Sequence, residues 1–188
     1  DSRQSRGLGD VYKRQLYKGK RNKNVAIGFE ALKSDAVGDA NEAIANIAIG
    51  HQSSHKVTTG SYNTSIGISS QITNTTGDYN LSIGAESLYA NDSGTSNIAF
   101  GNKSLYENVT QDNNIAIGDF SLQNNNQALL NSNNNIAIGY NSLTSHIQGS
   151  LNTYLGNYSG EYDISGVQNT VVGYTALREN IDGKGNTV

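Results

Sequence analysis

Asn114-Ile115-Ala116-Ile117-Gly118 is the motif on which the whole chain is built, because the sequence repeats it with small changes. Successive copies start 22, 17, 17, 17, 17, 21, 17, 17 and 17 residues apart, the last being cut short at Val188. A fixed period of this length is typical of solenoids, in which each repeat contacts only its neighbours. The copies begin at anchor asparagines: Asn24, Asn46, Asn63, Asn80, Asn97, Asn114, Asn135, Asn152, Asn169 and Asn186.

We number each repeat from its anchor Asn as position 1. Position 4 is always large and apolar, position 2 is apolar or Thr, and position 3 is small in most copies. Alternation of this kind predicts a short strand with positions 2 and 4 on one face, which we expect to look inward. Leu at position 9 is expected to fill the core from the opposite wall. The predicted core at position 4 is Ile27, Ile49, Ile66, Ile83, Phe100, Ile117, Ile138, Leu155 and Val172.

Position 5 is Gly in every copy, and a Gly directly after a strand predicts a turn that a Cβ would obstruct. We expect each repeat to run strand, Gly turn, second short strand, Gly turn, and the anchor asparagines to form a ladder whose amides bond from coil to coil. The position 5 glycines are Gly28, Gly50, Gly67, Gly84, Gly101, Gly118, Gly139, Gly156 and Gly173.

These patterns predict an all-β fold, a parallel β-roll or β-solenoid of about nine to ten 17-residue coils. At a strand spacing of about 4.8 Å the rod would be roughly 45 Å long. Residues 24–188 form the repeat domain, with insertions near 39–45 and 123–134. Residues 1–15 match no repeat position and are interpreted as a non-native or disordered leader, and 16–23 as the remnant of an earlier repeat. We expect the chain to be a piece of a longer protein.

Charge divides the chain unevenly. Residues 1–23 hold eight Lys or Arg and two acids, which leaves five bases and fourteen acids, a net charge of −9, for residues 24–188. An acidic repeat domain argues against a nucleic-acid partner. No apolar run approaches the roughly 20 residues of a membrane span, so a membrane anchor, if the protein has one, is expected outside this sequence.

The motif Asn-x-Ala-Ile-Gly, followed three residues after its Gly by Ala or Ser, resembles the head repeats of YadA-like trimeric autotransporter adhesins and the related repeats of phage-type tail fibres. The similarity covers Asn24 to Val188, although the YadA-type repeat is shorter than 17 residues. The resemblance implies a left-handed β-roll, a homotrimer, and a location outside the cell, on the cell surface (outer membrane) or on a virion. It also implies attachment to a host protein, matrix or glycan surface.

A row of Ala and Ser at position 3 gives a separate reason to expect a homo-oligomer. If positions 2 and 4 point inward, this row lies on the outer face of the sheet. Small side chains there would let a second chain approach closely. The sequence therefore predicts the position 3 face as the subunit contact.

Catalytic and metal-binding motifs are not found in the sequence, so we predict a protein that is not an enzyme and needs no cofactor or metal. His51 and His55 have the spacing of a helical metal pair, but they fall in a predicted turn and are interpreted as solvated. Several tyrosines could stack on sugar rings, although packing along the rod explains them as well: Tyr89, Tyr106, Tyr140, Tyr158, Tyr162 and Tyr174.

Two other functions are weighed. The first is a monomeric ligand- or ice-binding solenoid; ice binding would need a regular Thr array, whereas Thr64, Thr153 and Thr170 share position 2 with aliphatic residues. A hexapeptide-type acyltransferase is less favoured. That fold needs an apolar residue at every sixth position and about 18 residues per coil. Here the period is 17, and position 10 is mostly polar or aromatic: Lys33, His55, Tyr89, Gln123, Thr144 and Arg178.

Overall fold

The computed structural model describes residues 23–33, 43–125 and 132–188, and every structural statement concerns these ranges. They contain nine parallel strands and no helix, which confirms the all-β solenoid. The strands are paired in chain order from first to last. They are β1 Val25–Ile27, β2 Ile47–Ile49, β3 Thr64–Ile66, β4 Leu81–Ile83, β5 Ile98–Phe100, β6 Ile115–Ile117, β7 Ile136–Ile138, β8 Thr153–Leu155 and β9 Thr170–Val172.

Neighbouring strands pair position by position. Ala99 lies beside Ala116 in β5 and β6, and the same register holds across both long spacings, where β1 pairs with β2 and β6 with β7. The extra residues therefore leave the sheet undisturbed. Seven of the nine complete repeats are described over their whole length, fewer than the nine to ten coils expected. The other two repeats contain residues 34–42 and 126–131, which lie outside the described residues. The predicted leader at 1–15, most of the remnant at 16–23 and most of both insertions lie outside the described residues.

The inward-facing residue of each strand is position 3. Ala99, Ala116 and Ala137 are fully buried, and they pack in one cluster with Leu105 and Leu122 from position 9. The prediction that position 9 fills the opposite wall is confirmed. The two walls leave room for only a methyl or hydroxyl group at position 3 through most of the rod.

The predicted core at position 4 is therefore wrong. Each strand is buried only at its middle residue, and the two outer residues are half-buried or exposed. The pleat sends positions 2 and 4 to the face opposite position 3. The side chains that point outward are Ile27, Ile49, Ile66, Ile83, Phe100, Ile117, Ile138, Leu155 and Val172.

The predicted subunit contact at position 3 is wrong for the same reason. A residue such as Ala116, which lies between the walls of its own solenoid, has no surface to offer to a second chain. A contact through this sheet has to use positions 2 and 4.

The backbone after each strand turns through left-handed residues. Gly84 at position 5 has φ of 137°, and a Cβ placed there would lie 2.3 Å from the carbonyl oxygen of Gly101 in the next coil. Positions 7 and 9 are also left-handed although they are not usually Gly; Glu86 and Leu88 have φ of 55° and 51°. The residue before the anchor, such as Tyr79, is left-handed too. These residues interrupt extended backbone, so the expected second strand of each repeat is absent from the described coils.

The anchor asparagines are buried and couple successive coils. The Asn97 backbone N–H donates to Asn80 Oδ1 at 2.9 Å, while Asn80 Nδ2 donates to the Gly94 carbonyl oxygen at 2.8 Å. Direct bonds from one side-chain amide to the next also occur, as from Asn152 to Asn135 at 3.0 Å. The backbone bond recurs at every step of the column from Asn24 to Asn186.

The coil of β8 keeps its core filled by exchanging a large and a small residue. Tyr154 replaces the small residue at position 3 and is fully buried, and Gly160 replaces Leu at position 9. A Cβ on Gly160 would lie 2.3 Å from Tyr154 Cε1. The Tyr ring thus occupies the space that Leu fills in the earlier coils.

Candidate functional site

The outward side chains at positions 2 and 4 form one band along the rod, which we call the outer stripe. Parallel pairing in register brings each residue of the stripe beside its counterpart in the next coil. Fifteen of its eighteen residues are apolar, three are Thr and none is charged. Its members are Val25, Ile27, Ile47, Ile49, Thr64, Ile66, Leu81, Ile83, Ile98, Phe100, Ile115, Ile117, Ile136, Ile138, Thr153, Leu155, Thr170 and Val172.

The outer stripe is unusually apolar for an exposed surface. Phe100 and Val172 are 52% and 59% exposed, and Ile117 is 38% exposed. Nine strands at a spacing of about 4.8 Å make the stripe roughly 38 Å long, and two side chains abreast give it an area of roughly 400 Å². Contiguous apolar patches of this size on a single soluble chain commonly mark an interaction site.

Aromatic columns flank the stripe where the chain turns away from the strands. After the Gly turn, Phe120, Tyr140, Tyr158 and Tyr174 follow one another with ring centroids 6.0, 5.3 and 6.1 Å apart, each ring edge-on to the next. This column extends the apolar surface beyond position 4 in the last four coils.

Two further pairs of tyrosines stack face to face. On the side of the anchor residues, Tyr62 and Tyr79 lie 5.0 Å apart with their planes 3° apart. Farther round the coil, Tyr89 and Tyr106 lie 4.9 Å apart. Burial, followed by the nearby Glu86 carboxylate, raises the pKa of Tyr106. Packing of ring on ring along the rod therefore accounts for these tyrosines, and the exposed faces of Tyr62 and Tyr79 remain available to a partner.

Arg178 lies between two tyrosine rings on the last described coil. Its guanidinium carbon is 5.7 Å from the Tyr158 ring centroid and 5.5 Å from that of Tyr162, and its Nε donates to Glu161 Oε2 at 2.5 Å. The hydrogen bond to Glu161 raises the pKa of Arg178. The cluster ties neighbouring coils together at the surface.

The histidine pair of the sequence does not lie on a helix, where its spacing would bring the two rings together. The segment around His51 and His55 is a turn; His51 stacks on Phe29 at 5.5 Å, and His55 Nδ1 lies 3.8 Å from Glu30 Oε2. Hydrogen bonds from Gln52 and from Lys33 lower the pKa of Glu30. No group of three or more His, Cys, Asp or Glu that could hold a metal is found among the described residues.

A second column of buried polar side chains runs inside the rod at position 12, and we call it the inner ladder. The side-chain amide of Asn91 donates to Asn74 Oδ1 at 3.0 Å, Asn108 to Asn91 at 3.0 Å, and Asn125 to Asn108 at 2.9 Å. Asn91 Nδ2 also lies 3.0 Å from the Gly94 carbonyl oxygen, which accepts a second bond from it. The column thus satisfies polar groups that the narrow core cannot expose to water.

The inner ladder lies outside the predictions made from the sequence, although its signal is there. Asn recurs eleven residues after the anchor in five repeats, at Asn74, Asn91, Asn108, Asn125 and Asn180. The same column holds His146 and Asp163, both fully buried, so His146 is not a solitary surface residue.

Searches of the chain against protein-family models, curated proteins and solved structures find no match. In the described ranges no helix is both long and apolar enough to cross a membrane.

Proposed function

We propose that the chain is an adhesive surface module, a segment of a trimeric rod that attaches its bearer to a host, matrix or glycan surface. The observation that carries the proposal is the outer stripe: an uncharged, apolar band that runs the length of the described sheet and whose residues are half-buried or exposed in the single chain. Further copies of the same chain would cover it along its whole length, because their repeats have the same spacing. The number three, the adhesive role and the extracellular, cell-surface or virion location come from the resemblance of the repeat motif.

The area of the outer stripe indicates whether the stripe alone can hold copies of the chain together. Burying roughly 400 Å² per chain at about 25 cal/mol per Å² gives at most about 10 kcal/mol. Association costs an estimated 4–15 kcal/mol in lost freedom of motion. The stripe alone would leave the assembly marginal, so we expect the flanking aromatic residues to take part, chiefly Tyr62, Tyr79 and Tyr140, all of which are exposed in the single chain.

The oligomeric state is tested by light scattering on a sizing column. We expect the full chain to have three times its single-chain mass of 20.0 kDa. The double variant Ile117→Asp, Ile138→Asp places two carboxylates in the outer stripe and is expected to run as one folded chain. The matched control, Thr110→Asp, adds a charge at an exposed residue outside the stripe and should keep the parent's mass. A well-folded parent of 20.0 kDa would contradict the trimer and favour a single rod that binds a ligand or ice.

Attachment is tested separately, with beads coated with the parent or with the double variant. Retention of parent beads on immobilised glycans or matrix proteins, and its loss with the double variant, would support adhesion by the assembled rod. If a confirmed trimer were not retained on any of these surfaces, the adhesive half of the proposal would fail while the assembly stood.

A further inference from the structure

His146 is a buried break in the inner ladder. Its Nε2 lies 3.1 Å from the Gly149 carbonyl oxygen and its Nδ1 lies 3.3 Å from the Asp163 carbonyl oxygen. Both partners can only accept hydrogen bonds, whereas a neutral imidazole carries a single N–H. One of the two ring nitrogens therefore faces a carbonyl oxygen without a proton between them.

In the coil before the one that contains His146, a buried acceptor of the inner ladder also lacks a donor. In the unbroken part of the ladder each Asn Oδ1 accepts a bond from the side-chain amide one coil further on, as Asn91 Oδ1 does from Asn108. Asn125 precedes His146 in the column, and its Oδ1 is buried without a hydrogen-bond partner in the described structure. A buried acceptor left unpaired destabilises the fold.

The coil after His146 has no spare carboxylate for a charged imidazole. Asp163 Oδ1 accepts from the Gly166 N–H at 2.7 Å, and Asp163 Oδ2 accepts from the Asn180 amide at 3.1 Å and from the Tyr154 hydroxyl. The titratable groups of that coil at the ladder are Tyr154 and Asp163, and Asn125 on the other side is neutral. Both Asp163 oxygens are thus engaged with groups other than the imidazole ring.

We propose that His146 makes the solenoid acid-sensitive at one place, the junction between the coils of β7 and β8, so that mild acidification loosens this junction before the coils of β3 to β6. A proton added to the buried ring would let both nitrogens donate to their carbonyl oxygens, but it would also place a charge in a fully buried site that holds no free carboxylate, and burial is the larger effect. Such a charge is costly in a site closed to water. The ladder made of Asn alone, from Asn74 to Asn125, carries no group that titrates between pH 5 and 8.

The direction of the pH dependence follows from the burial of the ring. Burial lowers the pKa of His146, and the bond to Gly149 and the Asp163 charge offset this only in part. The unfolded chain, with an ordinary histidine pKa of about 6.5, therefore binds a proton at pH values where the folded chain does not. The stability that depends on neutral His146 is fully present above about pH 6.5 and is lost as the pH falls below it.

The test compares the parent with His146→Asn, which restores the amide found at this position in five other coils. We expect the denaturant midpoint of the parent to fall clearly between pH 7.5 and pH 5.0, and that of His146→Asn to fall less. His51→Asn is the matched control: His51 is exposed, so this variant should keep the parent's full loss. Equal losses in the parent and in His146→Asn would overturn the proposal.

Two further measurements keep the test decisive if His146→Asn folds poorly. An NMR titration of the parent should place the His146 ring pKa below the ordinary histidine value of about 6.5, and a higher value would overturn the proposal. Hydrogen exchange at pH 5.0 should speed up most for amides of β7 and β8 and least for those of β4 and β5. Uniform acceleration along the rod would also count against a local device.

Discussion

The side chain at position 3 sets the width of the solenoid. Ala116 and Ala137 are fully buried where their strands face the Leu wall, and Ser82, where it replaces Ala, bonds the Ser87 hydroxyl at 2.7 Å. Tyr154 is accepted in the same row only because the Leu of the opposite wall is missing from that coil. In that coil the large residue at position 3 is matched by a Gly at position 9.

This limit predicts the outcome of enlarging one residue. Ala116→Leu should lower the free energy of unfolding by about 1–3 kcal/mol or more, because the extra carbons have to displace the opposite wall. Ala116→Ser is the matched control and should be tolerated, since Ser65 and Ser82 occupy the same row in the parent. Urea denaturation followed by circular dichroism measures both, and a Leu variant as stable as the Ser variant would show that position 3 does not lie between the walls.

The strands could be predicted from the sequence, but the face that each strand buries could not. A period of two separates positions 2 and 4 from position 3 without saying which set is inside. In a sheet that packs on another layer, the larger apolar residues at positions 2 and 4 would form the core. In a solenoid with one strand per coil the interior admits only Ala116 and its equivalents, and Ile117 is left outside.

Each coil is stabilised mainly by what it shares with the next coil. Its one strand has three residues, and most of its other backbone bonds run to neighbouring coils, for instance from the Leu88 N–H to the Ser104 carbonyl oxygen at 2.9 Å. The two asparagine columns continue this pattern inside the rod. At the scale of the element, a coil is one layer in a stack of hydrogen-bonded layers.

Removing one amide from the inner ladder should therefore affect two junctions at once. Asn91→Ala eliminates the bonds to Asn74, Gly94 and Asn108 and leaves buried groups unpaired, at a cost of roughly 1–3 kcal/mol for each such group. Asn102→Ala is the matched control, because Asn102 is only partly buried and water can replace its bonds. Thermal unfolding compares the two, and equal losses would mean that the inner ladder adds little to stability.

The inner ladder is harder to predict from the sequence than the anchor column. The anchor column is visible because an invariant Gly follows it, whereas position 12 has Asn in five of nine repeats and Asp35, Val57, His146 and Asp163 in the others. A histidine in a turn resembles any solvated histidine until the path of the coil is known. The burial of His146 is a property of the closed coil and has no counterpart in the local sequence.

The whole molecule is a stack of interchangeable layers. Strands pair in register even where the spacing grows to 21 or 22 residues, so the extra residues of a longer repeat are accommodated outside the strands. A coil that is too short would have no residues with which to complete its circuit. Tolerance to changes of length should therefore be one-sided.

Excision of residues 97–113 removes one 17-residue repeat and brings β4 beside β6 in the same phase. We expect the shortened chain to fold as a solenoid of lower stability, because the stability of such arrays grows with the number of neighbour contacts. Excision of residues 96–113 removes one residue more and leaves 16 between Asn80 and Asn114. Circular dichroism should show a folded sheet for the first deletion and a loss of structure for the second, and equal tolerance of both would contradict the fixed circuit.

The left-handed residues affect how the solenoid folds. A left-handed backbone conformation at a residue other than Gly raises the free energy of the folded chain by roughly 1–2 kcal/mol. One coil contains three such residues, for instance Glu86, Leu88 and Ser96. A lone turn cannot recover that cost, because its backbone groups have no second layer to bond. We therefore expect formation of the first pair of layers to be the slow step of folding, and each later coil to form on a finished layer that lies only one repeat away along the chain. On this hypothesis the solenoid grows from a nucleus, and the chain itself supplies each successive layer.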